Sequence, residues 1–158
     1  MHKLVAPGMV LFTGFVSLPA VKSPPLASRT PAPHVRRDPR LETLRRFFEQ
    51  SACPALEYAH VFLEVADDYD LDWRLLPSIS YIESTGGKNA ANNNLFGWDG
   101  GRAEFSTPTA GIHAVAYRLT HSELYRAKSL DQKLAIYNPE AGYAGKVKSV
   151  MRRIAPAK

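Results

Sequence analysis

A chain of 158 residues with a formal net charge of +5 and a single cysteine has room for one ordinary domain and for no intrachain disulfide. The charge is unevenly laid out: up to Arg40 six basic residues face one acid, and from Leu41 onward 14 basic residues balance 14 acidic ones. The folded part is therefore neutral overall, which gives no support to a folded nucleic-acid groove, and the excess belongs to the N-terminal stretch.

That stretch reads in two pieces. In residues 1–20, His2 and Lys3 precede a mostly apolar run from Leu4 to Leu18, with small residues at Ala20 and again at Ala27. This is the outline of a secretory leader; the run is too short for a comfortable membrane span, so a non-cleaved anchor is the lesser option. Export to a periplasm, a cell envelope or the extracellular space is the expectation. Residues 21–38 hold Pro24, Pro25, Pro31 and Pro33 with Arg29, Arg36 and Arg37, the composition of a disordered linker.

Residues 39–158 form the expected domain, and it reads as mainly α. Asp38-Pro39 is an N-cap with proline at the first helical position, opening a helix to about Gln50. Pro54 starts another, with Leu56, Ala59, Val61, Phe62, Val65 and Ala66 giving a broad apolar face to about Asp68. Asp72 caps a third, in which Pro77 either kinks the helix or marks its true first turn, and Gly86-Gly87 ends the pattern. Leu95, Phe96 and Trp98 before Asp99-Gly100, with Ala103 and Phe105 after, predict one small β-hairpin. Thr107-Pro108 begins a helix to about His121, and Ser129 with Gln132 makes a capping box for one ending near Tyr137. Tyr143 to Ile154 closes the domain, with Val147, Val150, Met151 and Ile154 inward.

Glu83 is the residue that stands out. Leu75, Leu76, Ile79 and Ile82 fall on one helical stripe, and Glu83, four residues after Ile79 and seven after Leu76, shares its inward side. A carboxylate in such a place is expensive unless paired or protonated. Desolvation favours the neutral form of a carboxylic acid, the form a general acid must have near neutral pH. The alternative is a helix-end Glu that swings out to solvent.

Four segments then follow in order: Glu83-Ser84-Thr85-Gly86-Gly87, Asn94-Leu95-Phe96-Gly97-Trp98, Tyr137-Asn138-Pro139, and Tyr143-Ala144-Gly145-Lys146-Val147. Over Leu71 to Ile154 this series resembles the glucosaminidase branch of the lysozyme-like superfamily, which includes bacterial cell-wall autolysins, and more loosely the soluble lytic transglycosylases. The resemblance implies a lysozyme-like helical domain whose hairpin lies beside the cleft. It also implies hydrolysis of β-1,4 bonds in peptidoglycan or a related N-acetylhexosamine polymer, without cofactor or metal, by a monomer. Glu83 is then the acid that protonates the glycosidic oxygen. Tyr137 matches a tyrosine that lies in the cleft near that acid; its alternative is a core aromatic with a satisfied hydroxyl.

Ser84 matches a position that binds the substrate's acetamido group in the transglycosylase relatives, against a local hydrogen bond at the helix end. Asn94 divides between a turn role and a substrate contact. Trp98 is expected on the cleft wall and Phe96 in the core. The segment from Gly97 to Phe105 is abbreviated for the family and offers only Asp99 and Glu104 as a second acid. That role falls to one of them, to a water held through Tyr137, or to the substrate's acetamido group. A lytic transglycosylase and a catalytically inactive glycan-binding module stay open as alternatives. Asp68 to Asp72 imitates a calcium loop but has Trp73 at its sixth position and Ile79 at its twelfth. His60, His113 and His121 lack metal-ligand spacing, and Cys53 lacks a histidine partner.

Overall fold

The computed structural model describes residues 38–156, so the expected leader and nearly all of the expected linker lie outside the described residues. Among the described residues there are six α-helices, one short 3-10 turn and no strand. No helix among them is long and apolar enough to cross a membrane.

Local chemistry sets most helix boundaries. Helix α1 (Pro39–Gln50) begins where Asp38 Oδ1 accepts the Arg40 N–H at 2.8 Å. A 3-10 turn, Pro54–Tyr58, leads into α2 (Ala59–Asp68). Helix α3 (Leu75–Ser84) has Pro77 inside its first turn, where a missing N–H leaves no intrahelical bond unmade. Its first i→i−4 bond runs from Ser78 N–H to the Arg74 carbonyl, so Pro77 starts the helix and does not kink it. Helix α4 (Pro108–His121) is capped by Thr107, α5 (Leu130–Tyr137) by the full Ser129–Gln132 box, and α6 (Tyr143–Ile154) follows Gly142.

The helices bury one continuous core in which Phe48, Phe62, Leu76, Ile79, Ile112 and Val147 are fully enclosed. Apolar burial of this kind stabilises by roughly 25 cal/mol per Å². Helix α3 lies in the middle of it: Leu75 through Ser80 are all buried, and α3 packs most extensively against α6. Burying this helix fixes where its last turn, the one carrying Glu83, can point.

The expected hairpin over Leu95–Phe105 is not formed. Gly97, Asp99, Gly100 and Gly101 all take positive φ, a conformation no extended strand allows. Gly101 N–H bonds to the Gly97 carbonyl at 2.9 Å and Ala103 N–H to the Trp98 carbonyl at 3.3 Å, closing tight turns where a ladder was expected. Leu95 and Phe96 are both buried, which breaks the alternation a half-buried strand needs.

Arg40 ties the start of α1 to the end of α2, donating to both Asp38 carboxylate oxygens and to Asp67 Oδ1 at 2.7 Å. The hydrogen bonds from this guanidinium hold both carboxyls below the usual carboxylate range. A depressed carboxyl contributes stability above its unfolded value of about 4 and loses it as pH falls through the lower folded value. Arg40→Ala should therefore lower unfolding free energy by up to about 1 kcal/mol at pH 7, since the pairs are partly exposed. The difference should fade below about pH 3. Urea denaturation at the two pH values checks this; an equal loss at both would assign the effect to packing.

Candidate active site

Glu83 sits in the last turn of α3 and is half-buried. Thr85 and Gly86, both with positive φ, end the helix directly after it, and Gly86 N–H returns to the Ser80 carbonyl at 3.1 Å. The packing of α3 on α6 brings the first residue of α6 against this turn. Tyr143 is buried, and its O–H donates to Glu83 Oε1 at 2.6 Å. That bond is the only one made by the Glu83 side chain to the described residues. The other oxygen faces Gly97: a Cβ at position 97 would lie 2.8 Å from Oε2. One oxygen is thus held by a phenol, and the other lies against a stretch of backbone that carries no side chain.

Burial pushes the Tyr143 hydroxyl well above the ordinary phenol value, and its bond to Glu83 pushes it further. Burial likewise raises Tyr137, and the neighbouring Glu83 charge adds to this. Both phenols keep their protons and act as donors. Tyr137 uses its hydroxyl elsewhere, however, donating to the Phe96 carbonyl at 2.6 Å. Its ring lies parallel to that of Tyr143, with centroids 6.0 Å apart, and meets Trp98 edge-on at 5.3 Å. The catalytic hydroxyl expected of Tyr137 is therefore committed to backbone, and the tyrosine that touches the acid is Tyr143. Its place on the inward stripe of α6 with Val147 and Val150 is the signal that could have found it.

Ser84 and Asn94 also go to the backbone, the local one of the two roles weighed for each. Ser84 is 2% exposed; its Oγ donates toward the Leu95 carbonyl at 2.7 Å, lies 3.1 Å from the Ser80 carbonyl and accepts from Gly87 N–H at 2.9 Å. Asn94 is 3% exposed; its amide donates to the Trp98 carbonyl at 3.0 Å and its oxygen accepts the Phe96 and Trp98 N–H groups. These two side chains hold the 94–98 turn that presents Gly97 to Glu83. Asn94→Ala should cost about 1–3 kcal/mol, because it strands buried backbone groups without partners. Thermal or urea unfolding reads this directly. Unchanged stability with weakened ligand binding would return Asn94 to the role of a contact.

Trp98 borders a hollow. Gly97, Trp98, Asp99, Arg118, Tyr125 and Tyr137 line a hollow of about 470 Å³. Glu83 does not line it directly; its carboxyl lies behind Gly97, which does. Phe96 is fully buried, as its core reading required. Of the two candidate second acids, Asp99 borders the hollow but is paired with Arg102 at 2.9 Å, and Glu104 is exposed beside a smaller recess. Neither hydrogen-bonds Glu83. Among the described residues no group of three or more His, Cys, Asp or Glu could hold a metal ion. Cys53 is buried against Gly86, and burial raises its thiol.

Compared with protein-family models, with curated proteins and with solved structures, the chain matches none.

Proposed function

We propose that this is a lysozyme-like domain that cleaves β-1,4 bonds of peptidoglycan or a related N-acetylhexosamine polymer, as an endo-β-N-acetylglucosaminidase type of glycoside hydrolase. The observation that carries the reading is the setting of Glu83: a half-buried carboxyl at a helix end, anchored through one oxygen by Tyr143 and with the other beside Gly97, which lines an aromatic-walled hollow. An aromatic face suits the apolar face of a sugar ring, and Trp98 supplies one. The substrate's location makes export part of the proposal.

In this mechanism the proton rides on Oε2, since Oε1 accepts the Tyr143 O–H. It passes to the glycosidic oxygen, the bond from that oxygen to C1 breaks, and the sugar left behind becomes oxocarbenium-like. The Tyr143 hydrogen bond steadies the carboxylate that Glu83 becomes. Water then adds to C1 and returns its proton to Glu83.

A second reading has its own observation. Two-carboxylate glycosidases need a partner acid, and here Asp99 is held by Arg102 and Glu104 is exposed. A single acid suits a lytic transglycosylase, in which the sugar's own 6-hydroxyl attacks C1 and gives its proton to Glu83. Mass spectrometry of fragments released from purified peptidoglycan tests both. Reducing ends support hydrolysis, and ends lighter by one water support the intramolecular route. No fragments from any wall type would leave a glycan-binding module without catalysis.

A further inference from the structure

Arg118 lies on α4 and is exposed, with its guanidinium carbon 5.4 Å from the centroid of the Trp98 ring. Among the described residues it makes no ion pair, although Asp99 and Glu104 each line a hollow with it. Asp99 is taken by Arg102, Glu123 faces Arg126 at 4.0 Å, and Glu104, which shares a recess with Arg118, is not within bridging distance. A cation beside a hollow, stacked on an aromatic wall and without a carboxylate of its own, is set to receive an anion from outside.

Its position says what kind of anion. Arg118, Trp98 and Tyr125 line the 470 Å³ hollow and also a second one of about 720 Å³, which Tyr69, Tyr117 and Leu124 line as well. Tyr117 and Leu124 are 55% and 58% exposed, so the second hollow is an open aromatic and apolar shelf. A polymer that occupies both hollows must pass the guanidinium at their shared wall. A small anion would use only one of them.

We propose that Arg118 is the specificity-determining contact for a glycan strand that carries carboxylates, and that it separates acid-bearing N-acetylhexosamine polymers from neutral ones. This rests on the reading of the cleft as a glycan site. In peptidoglycan the carboxylates come from the peptide stems and, where a stem has been removed, from the lactyl ethers on alternate sugars. A guanidinium meets a carboxylate with two parallel N–H···O bonds, and stacking on Trp98 restricts the fork before the strand arrives. Chitin has no group for it to bind.

The test measures binding of soluble strands to the full chain carrying Glu83→Gln, which prevents turnover, with and without Arg118→Gln or Arg118→Lys. Four probes are compared: intact strands, strands with peptides removed, the latter with lactyl carboxyls converted to methylamides, and a chitin hexamer. The expected result is about tenfold tighter binding of carboxylate-bearing strands than of blocked strands or chitin, as an exposed charge-assisted contact allows. Arg118→Gln should abolish the preference and leave chitin binding within about twofold, while Arg118→Lys restores part of it. Preference for peptide-free strands over blocked ones assigns the lactyl group; preference only for intact strands assigns the stem. A preference that survives Arg118→Gln, or a uniform loss on all four probes, overturns the inference and leaves the glycan cleft standing. No binding of any probe by the Arg118 parent overturns the glycan reading and this inference with it.

Discussion

Replacing Glu83 with glutamine should reduce turnover of purified cell wall by about 10²–10⁴-fold, the usual contribution of a positioned general acid. The prediction is sharp because the substitution preserves so much. An amide oxygen can still accept the Tyr143 O–H that now reaches Oε1 at 2.6 Å, so the link between α3 and α6 survives. The side chain is half-buried and the replacement has nearly the same volume, so unfolding free energy should change by less than about 1 kcal/mol. Ground-state binding should be kept as well, placing the loss in kcat with KM little changed, the pattern of an interaction made only in the transition state. Steady-state rates on soluble strands, beside a thermal unfolding curve, measure both quantities. A variant that turns over wall at the parent rate removes Glu83 from the chemistry.

The second large effect is expected at Gly97. Its φ is +58°, so any side chain there is strained by about 1–2 kcal/mol. The greater consequence is geometric. A Cβ would lie 2.8 Å from Glu83 Oε2 and 3.5 Å from Glu83 Cβ, and the group that can yield is the carboxyl, the far end of a flexible side chain. Gly97→Ala should thus move the acid by a fraction of an ångström to an ångström while the fold remains. Misplacement on that scale costs up to about 10²-fold in rate. Activity should fall much further than stability does. The same substitution at Gly86 would meet Cys53 Cβ and Sγ at 2.7 Å, where nothing flexible can give way, and there the strain falls on the core. Parallel kcat and denaturation measurements on Gly97→Ala check the separation; loss of stability alone would detach Gly97 from the acid's geometry.

The helices were legible because their boundaries are written in adjacent residues. Asp38-Pro39, Thr107-Pro108 and Ser129 with Gln132 each satisfy orphan N–H groups within one turn, so three or four positions suffice to locate a start. The segment from Leu95 to Phe105 depends on something longer in range. Asp99-Gly100 looks like a hairpin turn, but Asn94 takes the Phe96 and Trp98 N–H groups into its own side chain, and the following glycines favour left-handed turns over extension.

The site divides in the same way. Glu83 could be singled out from the apolar stripe before it, since helical period alone puts it on the inward side. Helical period likewise puts Tyr143 on the inward stripe of α6, but its bond to Glu83 spans 60 residues and exists only through the packing of α3 on α6. Tyr137 and Tyr143 sit six positions apart in similar surroundings, and which hydroxyl reaches the acid is a matter of where each helix ends. Ser84 and Asn94 illustrate a further limit. A small polar side chain that serves a ligand and one that serves a turn are chemically alike, and burial is what separates them.

A crystal structure of Glu83→Gln with an N-acetylhexosamine strand bound would show directly whether this side chain meets a glycosidic bond. Sugar rings are expected along the Trp98 wall, with a glycosidic oxygen within hydrogen-bond distance, about 3 Å, of the side chain at position 83 on the Gly97 side. A strand bound on another face, or one in the hollow whose every glycosidic oxygen is screened from position 83 by the Gly97 backbone, would contradict the role proposed for Glu83.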